Sequence, residues 1–300
     1  MNSLLRHLAQ KNEIDLIGIC DLNMLNAQKE KFTVLKAEDV AFGVGEPSRR
    51  LDYKRVWSKT EGIISFALSY KNAINPPDDM TGRGVISRFS YGRDYHDVLK
   101  EKAKNLMSDF IKKYDCDYKI FVDSGILSDR MIAYCSGLGF IGKNRFLINE
   151  KYGSFIFLGH ILVDIALLTA ENTSTSKCEN CVECLISCPN NAIGDKLLDF
   201  KNCISYITQT GLSPGVNSHR YLYGCDICQL SCPFNQDSPE CIHREFTENI
   251  DFDYAYPRFD DILEINDDGG RYSCSALMWK GIKTLKHNAA CLKDFYKKSQ

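Results

Sequence analysis

The first half of the chain alternates between segments with strand periodicity and segments with helical periodicity. Apolar runs predict strands at residues 14–20, 62–70, 118–122, 146–149 and 155–163. A helix from Tyr95 to Lys113 is expected to turn inward Leu99, Ala103, Leu106 and Phe110. A shorter helix is expected at residues 128–136, ending at Gly137. This alternation predicts an α/β layer domain over residues 1–168.

The second half divides into a cysteine-rich module and a C-terminal segment. The polar stretch from Thr169 to Lys177 has little to bury, so the module is expected over residues 169–236. The acidic residues that follow, to Asp268, are expected to wrap other surfaces with little core of their own. From Met278 a helical pattern returns, with lysines outside and an apolar face of Met278, Ile282, Leu285, Ala289, Leu292 and Tyr296. Residues 237–300 are therefore predicted to be an acidic segment followed by a basic amphipathic C-terminal helix.

Composition and charge are those of an ordinary soluble protein. Hydrophobic residues make up 44% of the 300 positions, and a net charge of −2 argues against attraction of the whole molecule to nucleic acid. The longest apolar stretch, residues 155–168, is shorter than the roughly 20 residues of a membrane-spanning helix, and His160 and Asp164 interrupt it. The N-terminus lacks the apolar core of a secretory signal. We expect a cytoplasmic protein without membrane association.

Eight of the fourteen cysteines follow the spacing of an iron–sulfur protein. The run Cys178-x2-Cys181-x2-Cys184-x3-Cys188-Pro189 is the bacterial ferredoxin spacing, in which three thiolates bind one cubane and the fourth binds the other. A second run, Cys225-x2-Cys228-x3-Cys232-Pro233, lacks one close-spaced cysteine, for which Cys203 is the replacement. We predict a ferredoxin-like module with two [4Fe–4S] clusters. The first is assigned Cys178, Cys181, Cys184 and Cys232, and the second Cys188, Cys203, Cys225 and Cys228.

Zinc is the main alternative for these cysteines, because paired CxxC motifs also bind tetrahedral zinc. Zinc has no use for a third CxxC-spaced thiol followed by x3-Cys-Pro, so the clusters are favoured. The six other cysteines have no partner spacing and are expected to be buried, inert thiols. They are Cys20, Cys116, Cys135, Cys241, Cys274 and Cys291. The size of the α/β domain favours a second redox centre in the same chain.

Three segments of the first domain are candidates for chemistry. Asp123 ends a predicted strand, where its carboxylate could bind a ligand and, if desolvated, donate a proton; an ordinary turn or helix cap is equally compatible. Residues 90–96 gather polar and aromatic groups at a helix start, and their ordinary interpretation is a cap with surface aromatics. Residues 141–144, with Gly142 and Lys143, could let a ligand approach the backbone. No dinucleotide or P-loop motif is present.

Taken together, the motifs resemble the epoxyqueuosine reductase family, the cobalamin- and iron–sulfur-dependent enzymes of tRNA queuosine synthesis. The resemblance spans nearly the whole chain. Its matching stretches are SRFSYGRDYHDVLKEK (87–102), FVDSGILSDR (121–130), GLGFIGKNRFLIN (137–149), CENCVECLISCPNNAI (178–193), CISYITQ (203–209) and YGCDICQLSCPFN (223–235). The combination is more specific than any ferredoxin motif alone.

The resemblance implies that the first domain is a corrinoid-binding α/β unit similar to that of reductive dehalogenases. It implies that Asp123 is the proton donor, and that cobalamin contacts, several through backbone atoms, fall near Arg55, Ser87, Asp123, Leu147, Leu158, Ser205 and Asp226. The implied reaction removes the epoxide oxygen of epoxyqueuosine at the tRNA wobble position, with two electrons and two protons. The implied partners are the tRNA and an external low-potential electron donor, and the chain is expected to be a monomer.

Larger family members carry a C-terminal helical-repeat extension, and this chain ends at Gln300 without one. The basic segment from Arg271 could contact phosphate in its place, or it could be a solvated helix face. Two other functions stay open. One is a corrinoid and iron–sulfur reductase of another small electrophile, which would need no tRNA. The other is a ferredoxin-type electron carrier, which would not bind cobalamin.

Overall fold

The computed structural model describes residues 1–32, 47–169, 175–194, 198–212 and 219–298. These residues belong to two compact units. Unit 1 comprises Met1–Ser69 and His96–Cys181, and unit 2 comprises Tyr70–Tyr95 and Val182–Gln300. The units do not follow the predicted boundaries after residues 168 and 236. Residues 70–95 group with the second half of the chain, because they pair with it through a strand and a buried ion pair.

Eight strands occur in the described residues. They are β1 (Leu16–Ile19), β2 (Gly62–Ser69), β3 (Val85–Ile86), β4 (Tyr118–Phe121), β5 (Phe140–Ile141), β6 (Leu147–Ile148), β7 (Ile156–Val163) and β8 (Tyr221–Tyr223). The five strands predicted from the sequence correspond to β1, β2, β4, β6 and β7. The short strands β3, β5 and β8 were not predicted.

The helices are mostly short outside α4 and α13. They are α1 (Asn2–Lys11), α2 (Leu22–Phe32), α3 (Tyr53–Val56), α4 (Tyr95–Phe110), α5 (Asp129–Cys135), α6 (Glu183–Ser187), α7 (Ile204–Thr210), α8 (Ile227–Leu230), α9 (Pro233–Gln236), α10 (Arg244–Thr247), α11 (Phe252–Ala255), α12 (Phe259–Glu264) and α13 (Ile282–Lys298). Among the described residues, no helix is both long enough and apolar enough to cross a bilayer.

Unit 1 is built on a four-stranded sheet with the order β1-β2-β7-β4, in which every neighbouring pair is antiparallel. All eight residues of β2 are buried, as their continuous apolar sequence predicts. The inward stripe of α4 is also confirmed, since Leu99, Ala103, Leu106 and Phe110 are fully buried. The antiparallel order changes one expectation: the carboxyl-edge rule of parallel sheets, used to place Asp123, does not apply here.

Unit 2 joins residues 70–95 to the cysteine-rich and C-terminal parts. Strand β3 lies parallel to β8, and the N–H of Val85 donates to the carbonyl oxygen of Arg220 at 2.8 Å. The acidic segment contributes Tyr254, Tyr256 and Phe259 to the same core as α13. The expectation of little core in that segment is therefore wrong, because buried aromatic side chains stand between its carboxylates. The predicted apolar face of α13 is confirmed by its buried leucines.

The basic residues of the C-terminal segment pair with the acidic segment of the same unit. Lys293 forms an ion pair with Asp260, and a guanidinium nitrogen of Arg271 lies 2.7 Å from a carboxylate oxygen of Asp251. Lys286 approaches Asp267 at 4.0 Å. Two interpretations of this segment were considered, contact with phosphate and a solvated helix face, and neither included such ion pairs. The two charge runs, which are adjacent in sequence, partly neutralise each other.

Candidate functional site

Cys178 and Cys181 form a tight turn in unit 1. The N–H of Cys181 donates to the carbonyl oxygen of Cys178 at 2.7 Å, and Glu179 between them adopts a φ of +38°. The Lys143 ammonium donates to the carbonyl oxygens of Glu179 at 2.8 Å and Cys181 at 2.9 Å. The GKN motif thus holds the first CxxC turn, a role that spacing alone did not indicate.

The cysteines assigned to the second cluster gather in unit 2. Burial raises the pKa of the Cys228 thiol, and the neighbouring thiols of Cys203, Cys184 and Cys188 raise it further. Burial also raises the pKa of Cys225, with smaller contributions from Cys228 and Cys203. Buried thiols of this kind become thiolates when iron replaces their protons. Their donor chemistry fits a [4Fe–4S] cluster.

Three of the predicted cluster cysteines lie on a short helix or directly before one. Cys184 is buried on α6, Cys203 immediately precedes α7, and Cys232 is buried directly before Pro233, the first residue of α9. The hydroxyl of Ser187 on α6 donates to that of Ser231, one residue after α8, at 2.8 Å. In the described residues, no three histidine, cysteine or acidic side chains stand together as a site for one metal ion.

The six other cysteines are only partly as expected. Cys20, Cys135 and Cys291 are buried, whereas Cys116 and Cys241 are half-buried. Cys274 is exposed, so the expectation of burial is wrong there. Cys274 stands between two short 3₁₀ helices, Gly270–Tyr272 and Ala276–Lys280, and outside the residues that they bury.

Asp123 lies on an exposed loop between β4 and α5 of unit 1. Its φ is +38° and that of Gly125 is +70°, so the loop turns sharply directly after the strand. Strand β4 ends with Phe121 opposite His160 of β7. Because the pair is antiparallel, the end of β4 runs toward Leu158, and Asp123 and Leu158 share one end of the sheet. Two of the predicted cofactor contacts are thereby brought together.

Arg50 anchors this loop, although the sequence patterns gave no sign of it. One of its guanidinium nitrogens donates to the carbonyl oxygen of Leu127 at 3.2 Å, and its own carbonyl oxygen accepts the N–H of Ser128 at 2.8 Å. Burial lowers the pKa of Arg50, and the nearby carboxylates of Asp129 and Asp123 oppose that shift. Arg50 therefore holds the far end of the loop by two hydrogen bonds, and its positive charge interacts with the carboxylates of Asp129 and Asp123.

A series of buried polar side chains supports the end of the loop at which α5 begins. Nδ1 of His160 lies 2.8 Å from the Ser65 hydroxyl, which the Ser136 hydroxyl contacts at 2.8 Å. Nε2 of His160 lies 3.2 Å from a carboxylate oxygen of Asp129, the first residue of α5. His160 thus bridges the central strand β7 to the helix that follows the loop. It interrupts the apolar run of residues 155–168 for this reason.

The other predicted contacts in unit 1 differ in exposure. Leu147 is buried, and the partly buried Leu158 packs against the same apolar cluster, which also contains Leu138 and Ile156. Arg55 is exposed on α3, where its N–H donates to the side chain of Asp52 at 3.3 Å. The two leucines thus belong to one apolar cluster, while Arg55 lies on a separate short helix.

Ser87 and Asp226 lie together in the interior of unit 2. The Ser87 hydroxyl donates to one carboxylate oxygen of Asp226. The other carboxylate oxygen accepts from the Arg88 backbone N–H at 2.9 Å and from its guanidinium at 3.3 Å. Asp226 is only 1% exposed, so its carboxylate is fully occupied within the protein. Ser87 is also 1% exposed, so both predicted cofactor contacts lie inside unit 2 with side chain and backbone buried.

Ser205 and the GRDYH segment complete the predicted set. The Ser205 hydroxyl accepts from the side-chain amide of Gln209 at 3.1 Å on α7. Tyr91 and Tyr95 are buried, so the interpretation as surface aromatics is wrong. At Gly92, which has a φ of +67°, an added Cβ would stand 2.2 Å from the carbonyl oxygen of Glu245. Close backbone packing explains the glycine of this motif.

Two family models match the chain. Residues 50–124 match the model described as "Epoxyqueuosine reductase QueG, DUF1730", and residues 177–235 match the "4Fe-4S double cluster binding domain". The second match includes all eight predicted cluster cysteines. It confirms the prediction of two [4Fe–4S] clusters, while the assignment of each cysteine to a cluster stays a prediction.

Curated relatives match most of the chain. The epoxyqueuosine reductase of Staphylococcus aureus is 33% identical over 293 residues, which cover 92% of this chain and 75% of that protein. The chain belongs to the epoxyqueuosine reductase family. The epoxyqueuosine reductase of Bacillus subtilis is 32% identical, with 92% of this chain and 74% of that protein covered. The resemblance seen in the sequence motifs is confirmed, and this family member is an oxidoreductase.

Solved epoxyqueuosine reductases share the fold. One, crystallised with an epoxyqueuosine-modified tRNA-Tyr stem loop, matches with a TM-score of 0.83 and 29% identity over 99% of this chain and 82% of that chain. The Bacillus subtilis enzyme, with its catalytic aspartate loop swung out of the active site, matches with a TM-score of 0.86 and 29% identity over the same shares of the two chains. The predicted mixed α/β fold with a double-cluster module and a C-terminal helix is confirmed.

Proposed function

We propose that this chain reduces epoxyqueuosine to queuosine at the wobble position of tRNA, with two [4Fe–4S] clusters and cobalamin as cofactors. The epoxide accepts two electrons and two protons, both carbon–oxygen bonds break, and the products are an alkene and water. Family membership and the relative bound to a modified tRNA stem loop support this substrate. The observation that carries the proposal is the exposed carboxylate of Asp123, which stands on an anchored loop at the end of the unit 1 sheet.

The surroundings of Asp123 fit a large, partly apolar cofactor such as cobalamin. Ile126, three residues further along the loop, is 49% exposed, and Leu158 is partly buried at the same end of the sheet. An apolar surface beside an accessible carboxylate suits a group with an apolar macrocycle and a reacting face. Bound cobalamin would supply low-valent cobalt, and the clusters would supply electrons one at a time.

The chain's own chemical contribution is proton donation. We assign to Asp123 the transfer of a proton from its carboxyl group to the leaving epoxide oxygen. General-acid assistance of this kind typically contributes about 10²–10⁴ in rate. Exposure lets the carboxyl reach the substrate and recover its proton from solvent. Arg50 positions the loop through the carbonyl oxygen of Leu127, and its charge favours the carboxylate that remains after the transfer.

Movement of this loop is consistent with a relative, since the catalytic aspartate loop of the Bacillus subtilis enzyme is swung out of its active site in one crystal structure. In this chain the loop begins at the end of β4, and Arg50 holds it near Leu127. Residues 127 and 128, at the far end of the loop, are held by hydrogen bonds to Arg50.

A substrate comparison tests the proposal. The protein is reconstituted anaerobically with iron, sulfide and cobalamin and given a chemical reductant. Turnover is then compared on epoxyqueuosine-containing tRNA, on the free epoxyqueuosine nucleoside and on a halogenated phenol. We expect the tRNA to be the preferred substrate. Faster reduction of the halogenated compound would indicate a reductase of another electrophile, and failure to bind cobalamin would favour an electron carrier.

A further inference from the structure

The Lys143 side chain contacts the backbone of the first CxxC turn in unit 1. Its ammonium donates to two backbone carbonyl oxygens, that of Glu179 at 2.8 Å and that of Cys181 at 2.9 Å. Both acceptors lie in the turn that carries the thiols of Cys178 and Cys181. The lysine thus contacts backbone carbonyl oxygens 36 and 38 positions further along the sequence, one of them that of Cys181 itself.

The backbone that carries Lys143 is itself fixed. The N–H of Gly142 donates to the carbonyl oxygen of Phe146 and the N–H of Arg145 donates to that of Gly142, each at 2.9 Å. The side chain of Asn144 accepts from the N–H of Phe146 at 3.2 Å. A Cβ at Gly142 would stand 2.4 Å from a side-chain carbon of Ile148. These contacts fix the backbone at the position of Lys143.

The turn that Lys143 holds has an unusual backbone conformation. Glu179 adopts a φ of +38°, which non-glycine residues rarely do. The internal hydrogen bond of the turn, from Cys181 to Cys178, uses neither of the carbonyl oxygens that Lys143 contacts. The ammonium therefore adds two hydrogen bonds to the one that the turn forms within itself.

We propose that Lys143 is a positioning residue for the cluster bound by Cys178 and Cys181, and that its positive charge raises the reduction potential of that cluster. The inference rests on the proposed function, which includes two clusters, and on the predicted assignment of Cys178 and Cys181 to one of them. Reduction adds one negative charge to the cluster, and a fixed positive charge beside its ligands stabilises the reduced form. Net charge and hydrogen bonding around the sulfurs are the main determinants of cluster potentials.

The test is a redox titration of the reconstituted protein, followed by electron paramagnetic resonance. Lys143→Met removes both the charge and the two hydrogen bonds, whereas Lys143→Arg keeps the charge. Lys151→Met is the matched control, because Lys151 is an exposed lysine of the same unit, whose ammonium contacts Tyr152 at 3.0 Å. A Cys178→Ser variant identifies which signal belongs to the first cluster.

We expect Lys143→Met to shift the reduction equilibrium of the first cluster at least tenfold toward the oxidised form, which is about 59 mV for one electron. Lys143→Arg and Lys151→Met should stay close to the parent. Loss of the first cluster's iron in Lys143→Met, retained in Lys143→Arg, would also support the positioning role. Unchanged iron content with unchanged potentials in Lys143→Met would overturn the inference, and so would a shift confined to the other cluster.

This measurement is independent of the substrate. The titration needs neither tRNA nor cobalamin, so an inactive protein with a shifted potential would contradict the proposed function alone. An active enzyme with unchanged potentials would contradict only the role of Lys143.

Discussion

The carboxylate of Asp226 accepts a hydrogen bond from the backbone N–H of Arg88 at 2.9 Å, across 138 positions of sequence. The guanidinium of Arg88 approaches the same oxygen at 3.3 Å, and both side chains are buried. Burial alone lowers the pKa of Arg88, but Asp226 and nearby tyrosines outweigh this effect and the pKa is raised. This pair ties residues 70–95 to the segment that carries Cys225.

Removing the charge of Asp226 should destabilise the protein strongly. Asp226→Asn leaves the Arg88 guanidinium buried without its counter-ion, which typically costs about 3–5 kcal/mol. Denaturant unfolding of the variant measures this loss. Asp237→Asn, at an exposed carboxylate of the same region, is the control and should change stability by less than about 0.5 kcal/mol. Equal stability of the two variants would show that the pair is not needed.

Iron content distinguishes cluster ligands from the other cysteines. Cys203→Ser should lower the iron of the reconstituted protein from about eight to about four atoms per chain, because one of two [4Fe–4S] clusters loses a ligand. Cys274→Ser, at an exposed thiol outside the motifs, should retain all of it. Full iron content and an unchanged spectrum in Cys203→Ser would remove Cys203 from the predicted ligand set.

Asp123→Asn tests the proton donor. The amide keeps the size of the side chain but cannot protonate the leaving oxygen, so we expect turnover to fall about 10²–10⁴-fold. Iron content and cobalamin binding should not change, and both are measured on the same sample. Asp115→Asn, at another exposed carboxylate of unit 1, should be unaffected. Near-parental turnover of Asp123→Asn would exclude the assigned role.

Arg50 should affect turnover through the loop. Arg50→Met removes the hydrogen bond to the carbonyl oxygen of Leu127 and the charge near Asp123, and we expect roughly a tenfold loss of kcat. Arg50→Lys keeps the charge and should recover part of the rate. Turnover of Arg50→Met equal to that of the parent would contradict the assigned role of Arg50.

The burial of His219 should make the stability of the protein depend on pH. Burial lowers its pKa to about 4, and its Nδ1 accepts the N–H of Tyr221 at 3.1 Å. An unfolded histidine titrates near 6.5, so between these values the unfolded chain binds a proton that the folded chain does not. Stability should therefore fall as the pH drops from about 6.5 to about 4. In His219→Asn, whose side-chain oxygen can accept the same N–H, the fall measured by thermal unfolding should be smaller.

The sequence predicted those elements whose pattern lies within a single segment of the chain. The stripe of α4, the apolar run of β2 and the cysteine spacing are all read within one segment, and the structure or the family models confirm them. The grouping of residues 70–95 with unit 2 could not be predicted this way, because β3 has two residues and its partner lies over 130 positions away.

The supporting residues of the site were missed for a related reason. Arg50 and Lys143 act through hydrogen bonds to backbone carbonyl oxygens, and a carbonyl has no sequence signature. Asp226 was expected to lie near the cofactor because it follows Cys225. The buried Arg88 that contacts the Asp226 carboxylate could not be predicted from spacing.

Nucleoside analysis of treated tRNA is the most direct test of the central claim. Epoxyqueuosine-containing tRNA is incubated anaerobically with a low-potential reductant and the protein reconstituted with both clusters, with and without cobalamin, and is then digested and separated by mass. The account predicts conversion of epoxyqueuosine to queuosine, with loss of one oxygen, only in the sample with cobalamin. Unchanged epoxyqueuosine with fully loaded protein would contradict it, and so would equal conversion without cobalamin.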